Sequence, residues 1–302
     1  MKVLNTIMNP NLSIIVPGRC NEHCNFCFWK RDPDEVKDVD VYTAALDKTL
    51  SSLTEQFTQI SITGGEPTIS PYFKPILDIL SSHRDQFKKV VLTTNGSVPK
   101  KCNPADYLEN LVLDIDGVVD YVNISVHHYD AAYNNFIFKG ERGTARPSIQ
   151  HSTTNLALFN KLLNKSGVPS NANCVLTDTL LFTETLLNAD IKCRGPKGNI
   201  LKYISNMKDY GFSSITFRKP HTCNSGLEPS LVEGEFSDYK VIGESRCPVC
   251  VAKTQIIEGM YITWKRSIVE PSEELENLIY ELIIHPDGKV YADWSKNIEV
   301  II

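Results

Sequence analysis

The first twenty residues, MKVLNTIMNPNLSIIVPGRC, contain no unbroken apolar stretch, because Asn and Pro interrupt it every few positions. That absence speaks against a signal-peptide core and a membrane span, and a cytoplasmic protein is expected. Basic charge is also in short supply: 31 Lys and Arg stand against 36 Asp and Glu, the net charge is -5, and the basic residues are scattered. The electrostatic footprint of a general nucleic-acid binder is missing, so a small, mostly neutral substrate is the simpler expectation. There is no internal repeat and no low-complexity tract, and 42% hydrophobic content over 302 residues carries no mark of disorder. A soluble globular protein with one large core, or a core and a small appendage, follows. A secreted disulfide framework is not indicated either. Nine cysteines, odd in number and unevenly spread, favour thiolates used as ligands in a reducing compartment.

What the chain does have is alternation of short β-rich runs with amphipathic stretches. Strands are expected at LSIIV (12–16), QISIT (59–63), KVVLTTNG (89–96), DYVNISVHH (120–128), NANCVLT (171–177) and SSITFRK (213–219). Helices are expected over 41–57, 72–83, 105–112, 154–165 and 198–211, where apolar residues recur at three and four. Six strand-helix units in series predict parallel pairing with right-handed crossovers, closed as an open doubly wound sheet or as a partial or full β/α barrel. Ligands then belong at the carboxyl ends of the strands. From residue 222 onward the composition shifts to Gly, Pro, Ser and charge, then to short β-like runs, with HPDGK (285–289) as a hairpin signal. The expected division is a barrel over 1–221 and a small β-rich C-terminal extension over 222–302.

Three of the nine cysteines fall within eight residues, in CNEHCNFC, at Cys20, Cys24 and Cys27. A structural zinc site wants four ligands, and only His23 is a local fourth. A 4Fe-4S cubane normally takes four cysteines, so three would leave one iron open to chemistry. Unliganded thiols in a loop would stand exposed to oxidation.

The C-x3-C-x2-C spacing, with Phe26 before the last Cys and a strand before the first, resembles the cluster loop of radical S-adenosylmethionine (SAM) enzymes. SITGGEPTISP (61–71) is similar to that family's GGE motif. LTTNG (92–96), NISVHHYD (123–130), ANCVLT (172–177) and ITFRK (215–219) are similar to the ends of its third to sixth strands. The resemblance covers about 12–220 and is nearest to the branch holding molybdopterin-precursor cyclases and SPASM-domain peptide-modifying enzymes. It implies a partial (βα)6 barrel of the TIM type. It further implies that Cys20, Cys24 and Cys27 hold three irons of a 4Fe-4S cluster, and that the amino and carboxylate groups of SAM chelate the fourth. One electron then breaks the S–C5′ bond, giving methionine and a 5′-deoxyadenosyl radical. Phe26, Gly64, Gly65, Glu66 and Asn95 are implied to face SAM, as are Ser125 and His127, while Asn173 and Arg218 are implied to touch SAM or substrate. A reductant such as flavodoxin or ferredoxin is implied as partner. The substrate is unassigned: a small metabolite, a nucleoside or nucleotide, and a peptide all fit.

In the extension, Cys247 and Cys250 form a C-x2-C knuckle, and Cys223 is the nearest other cysteine there. These three are expected to converge on a second metal site, a cluster or zinc, with Cys193, His221 or Asp293 as fourth ligand. The SPASM pattern itself is incomplete, since Asp293 occupies a position where that family has Cys. Cys174 reads as a buried inert thiol, Cys102 as a loop thiol, Trp29 as cover for the cluster, and His128 and Tyr129 as packing or surface residues. A non-catalytic zinc- or cluster-stabilised binding protein on a β/α scaffold would also account for the cysteines, but it has no use for GGEP at the end of a strand.

Overall fold

A computed structural model describes residues 7–27, 38–53, 57–139, 149–150, 152–187, 195–219, 228–247, 250–267, 279–292, 294, 296 and 299–300. Six strands, β1 (Ile7–Val16), β2 (Gln59–Gly64), β3 (Val90–Thr94), β4 (Tyr121–Ser125), β5 (Ser170–Val175) and β6 (Ser214–Arg218), pair in that order. Every pairing among them is parallel. Sequential order without a reversal is the barrel solution, not the doubly wound one. The crossovers carry α1 (Val39–Ser52), α2 (Phe73–Ser82), α3 (Pro104–Ile115), α4 (Ala131–Lys139), α5 (Thr153–Ser166), α6 (Asp178–Leu187) and α7 (Gly195–Asp209). Local chemistry sets several ends. Asn103 caps α3 ahead of Pro104, the Ser152 side chain accepts from the Asn155 N–H at the start of α5, and Gly167 (φ +81°) stops α5 in the left-handed conformation.

The strands alternate sharply between faces. Ile60 and Ile62, Val122 and Ile124, and Ile215 and Phe217 are fully buried. Their neighbours Ser61, Thr63, Asn123, Ser125, Ser214 and Thr216 keep partial access to solvent. With period 2, one face of the sheet lies under the helices and the other lines an interior of Ser, Thr and Asn. A typical β/α barrel plugs that interior with branched apolar side chains, which this one largely lacks.

The C-terminal extension contributes α8 (Pro229–Glu233) and strands β7 (Val241–Cys247), β8 (Cys250–Ile257), β9 (Met260–Ser267), β10 (Ile279–Ile284), β11 (Val290–Tyr291) and β12 (Glu299–Val300). β9 pairs parallel to β6, and β10 pairs parallel to β1. The whole forms one twelve-stranded sheet, whose parallel wall runs β10-β1-β2-β3-β4-β5-β6-β9. Seven strand spacings of about 4.8 Å would put β9 and β10 about 34 Å apart in a flat sheet. Lys265 on β9 and Glu281 on β10 nevertheless act on each other's charge. The sheet therefore curls until its two late strands face one another. Trp264 locks β9 in place, stacked on Phe217 and tilted against Phe236, with its Nε1 donating to Gln255. The HPDGK segment forms the expected hairpin between β10 and β11, with His285 N donating to Lys289 O and Gly288 at φ +77°.

Candidate functional site

The loop after β1 carries Cys20, Cys24 and Cys27, none of them in a disulfide, the last exposed and the others half-buried. It is fastened at several points. Ser70 Oγ donates to Pro17 O (2.5 Å), His23 N donates to Phe138 O at the end of α4 (2.8 Å), and Cys27 N turns back to Cys24 O (3.1 Å). β2 ends beneath this loop. A Cβ on Gly65 would stand 2.8 Å from Cys20 N and 2.9 Å from the Arg19 carbonyl carbon, and one on Gly64 (φ +134°) would meet Val16 O at 2.8 Å. Glycine at both positions is what lets the two backbones touch.

Glu66 follows, fully buried between the ends of β2 and β3. Its Oε1 accepts from Thr68 N, Thr68 Oγ1 and Thr94 Oγ1, and its Oε2 accepts from Asn95 N at 2.7 Å. Burial raises its carboxyl above the usual range, against those four bonds. Asn95 Nδ2 donates to Asn21 Oδ1 (2.7 Å), Asn21 Nδ2 donates to Ser97 Oγ (2.7 Å), and Ser97 N donates to Asn95 Oδ1 (3.0 Å). A continuous polar chain thus joins the cysteine loop to the GGE segment and to the end of β3. Asn21, Thr68, Thr94 and Ser97 in this chain were not foreseen. Asn21 adjoins the first cysteine, but nothing in the sequence pairs it with residues 74 and 76 positions away.

The thiols influence one another. Burial, then Glu66, pushes Cys20 up to about 12, and burial followed by the Cys20 and Cys27 charges raises Cys24 also. Such thiols stay protonated until a cation takes the proton's place, which is the electrostatics of a soft-metal donor set. Among the described residues, no three His, Cys, Asp or Glu side chains are gathered to hold a single metal ion. Ligands to separate irons of a cluster need no such convergence. The three thiols and the close-fitted Gly65 contact therefore suit a 4Fe-4S cluster held by Cys20, Cys24 and Cys27.

Phe26 meets His127 edge-on at 4.9 Å, and His127 is buried with its Nδ1 accepting from Val175 N (3.1 Å). That bond spends one ring nitrogen inside the wall. Ser125 and Asn173 are paired in register at the ends of β4 and β5, and Arg218 closes β6 opposite Val175. His128 and Tyr129 are buried and in ring contact, Cys174 is fully buried, and Cys102 is exposed. Trp29 lies outside the described residues.

The second expected site is only partly within the described residues. Cys193, His221, Cys223, Asp293 and the side chain of Cys247 lie outside them. Cys250 begins β8 directly across from Cys247 and is engaged in a disulfide, so in this form it offers no thiolate.

A parallel barrel wall with a three-thiol loop on its first strand and a glycine-carboxylate segment on its second defines a cofactor-dependent barrel enzyme. The radical SAM superfamily model matches residues 14–185, more than half of the chain, and the chain belongs to that superfamily. Its members are enzymes that use SAM and, by family, a 4Fe-4S cluster. Among solved structures it is similar to SuiB of Streptococcus suis, at 14% identity over 96% of this chain and 61% of that one, with a TM-score of 0.58. For SuiB bound to S-adenosylmethionine the figures are 16%, 77%, 44% and 0.50. The chain thus spans about half of that protein's length, and at this identity the likeness is one of fold. No curated protein matches the chain. Among the described residues, no helix is long and apolar enough to cross a membrane.

Proposed function

We propose that this chain cleaves SAM reductively and directs the resulting chemistry at a C–H bond of a substrate held in the barrel, with residues 222–302 covering the site. Cys20, Cys24 and Cys27 are the cluster ligands. The carbonyls of Gly64 and Gly65 and the Glu66 carboxylate would meet the methionine amino group, and Asn95, Ser125 and His127 would line the rest of the SAM site. Asn173 and Arg218 stand nearer the substrate. When bound, the cluster and SAM supply one-electron chemistry able to remove hydrogen from an unactivated C–H. The protein's part is to hold the loop still, to orient SAM and to keep water out. A reductant such as flavodoxin or ferredoxin delivers the electron. The observation that carries this reading is the close fit of Gly65 under Cys20, where an added Cβ would stand 2.8 Å from Cys20 N, because it joins the thiol loop and the GGE segment into one surface.

The test is anaerobic reconstitution of wild type and of Cys20→Ala, Cys24→Ala and Cys27→Ala. Wild type is expected to bind four irons per cluster, to show the brown charge-transfer absorption and, with dithionite, to convert SAM to methionine and 5′-deoxyadenosine. Each variant should lose the absorption and the SAM cleavage. Cleavage retained by any of the three, or zinc as the sole bound metal in wild type, refutes the assignment.

A further inference from the structure

Sequence-wide charge favours a neutral substrate, but an average hides local pairs. Arg218 on β6 and Lys265 on β9 stand directly opposite each other in the parallel ladder. Each is the next same-face residue beyond the pairs Ser214 with Tyr261 and Thr216 with Thr263. Those four line a cavity of about 370 Å³, together with Tyr121, Asn171 and Ser213. Period 2 therefore carries both cations onto the inner face of the barrel, above that cavity and towards the carboxyl ends of the strands. Like charges directly across a ladder are destabilising, so the pair has a cost. Among the described residues, Lys265 makes no ion pair within 4 Å. Glu281, the acid whose charge acts on Lys265, accepts from Ser13 Oγ (2.5 Å) and Trp294 Nε1 (3.2 Å). Burial lowers Arg218, and burial and then Arg218 lower Lys265, with Glu281 opposing. Lys265 stands exposed to solvent, and Arg218 is partly accessible. Around the wall β4 and β5 lie between this pair and β3, which carries Asn95, while at the other edge the curl brings β9 up to β10, the neighbour of β1.

We propose that Arg218 and Lys265 form an oxyanion subsite inside the barrel, and that the substrate carries a carboxylate or a phosphate which this pair anchors while its C–H bond is presented to the cofactor end. The subsite rests on the radical SAM reading for its purpose, though not for its existence. A planar guanidinium beside a mobile ammonium suits either oxyanion, the first by two parallel N–H bonds and the second by point charge.

Calorimetric titration of the cluster-loaded protein with inorganic phosphate and with malonate tests this, using wild type, Lys265→Gln, Arg218→Gln and Lys265→Arg. Wild type is expected to bind at least one of the two, and the tighter one names the substrate's group. Each Gln variant should weaken that binding by at least about tenfold, the scale of one charge-assisted hydrogen bond, while Lys265→Arg retains it. SAM affinity, measured on the same preparations, should change less than about threefold, well below the loss of such a bond. An equal loss of SAM affinity would mean that the pair holds the SAM carboxylate and would overturn the substrate assignment. Absence of binding in wild type, or binding indifferent to all three substitutions, also overturns it. Failure of wild type to load iron or cleave SAM sinks the proposed function instead. The same titrations on metal-free protein then still decide the subsite.

Discussion

At the scale of single residues, Gly65 is held tightly against the cysteine loop. The atoms its Cβ would strike are backbone, Cys20 N and the Arg19 carbonyl carbon, and backbone cannot rotate aside as a side chain does. Gly65→Ala is therefore expected to push the cysteine loop away from β2. Reconstituted iron per chain should fall at least about fivefold, while far-ultraviolet circular dichroism stays that of wild type, since overpacking on this scale costs about 1–3 kcal/mol. Full iron loading with unchanged SAM cleavage would show that the contact has slack. His128 makes a different prediction. Burial holds its imidazole neutral down to about 4, and its Nδ1 accepts from Asp130 N (2.9 Å). The unfolded imidazole protonates near 6.5. Between those values the unfolded chain binds a proton that the folded chain refuses, so stability is intact above about pH 6.5 and falls as pH drops towards about 4. At about 1.4 kcal/mol per pH unit the loss reaches roughly 3 kcal/mol. His128→Gln should remove that share, and urea midpoints of both proteins at about pH 7 and pH 4.5 would show it. Parallel acid sensitivity in the two proteins would acquit His128.

At the scale of elements, what could be read in advance followed periodicity. All six barrel strands stand where the runs at 12–16, 59–63, 89–96, 120–128, 171–177 and 213–219 put them, because a parallel strand covered by helices must be strongly apolar on one face. α4 and α6 went unseen for identifiable reasons. α4 reads AAYNNFIFK, and its paired Asn suggest a loop, yet Asn134 is buried and its Oδ1 accepts from His127 N and His128 N. A residue that looks like a turn former here caps the end of β4. α6, DTLLFTETLL, mixes Thr and Phe among leucines without a clear polar face. The cysteines and the GGE segment were legible because they are local. Their connection through Asn21, Asn95 and Ser97 was not, since hydrogen bonds between residues 74 and 76 positions apart leave no trace in spacing. Lys265 carried a usable signal, for the alternation in MYITWKRS already puts Tyr261, Thr263 and Lys265 on one face.

At the scale of the molecule, the late strands decide how the barrel is bounded. The extension was expected as an appendage over 222–302, and its strands β9 and β10 prove to hydrogen-bond to β6 and β1. Local patterning revealed that those strands exist, but a strand's partner is a long-range choice. A chain ended at residue 221 would lose the buried Ile262, Trp264, Leu282 and Ile284 and would leave the apolar edges of β1 and β6 unpaired. Exposed edges of that kind recruit other chains. Such a fragment is expected to elute as aggregates in size-exclusion chromatography, and a monomeric fragment with a cooperative melt would show that the six strands suffice.

The pairing of β1 with β10 also sets a clock. Residues 11–14 align with residues 281–284, so β1 waits for a partner synthesised 270 residues later. At about 5–20 residues per second of synthesis, that interval is roughly 15–55 s. Throughout it, the thiols of Cys20, Cys24 and Cys27 have left the ribosome beside an unfinished wall. Iron delivered during those seconds would reach the loop before the far edge of the barrel is in place, whereas iron delivered afterwards meets the finished wall.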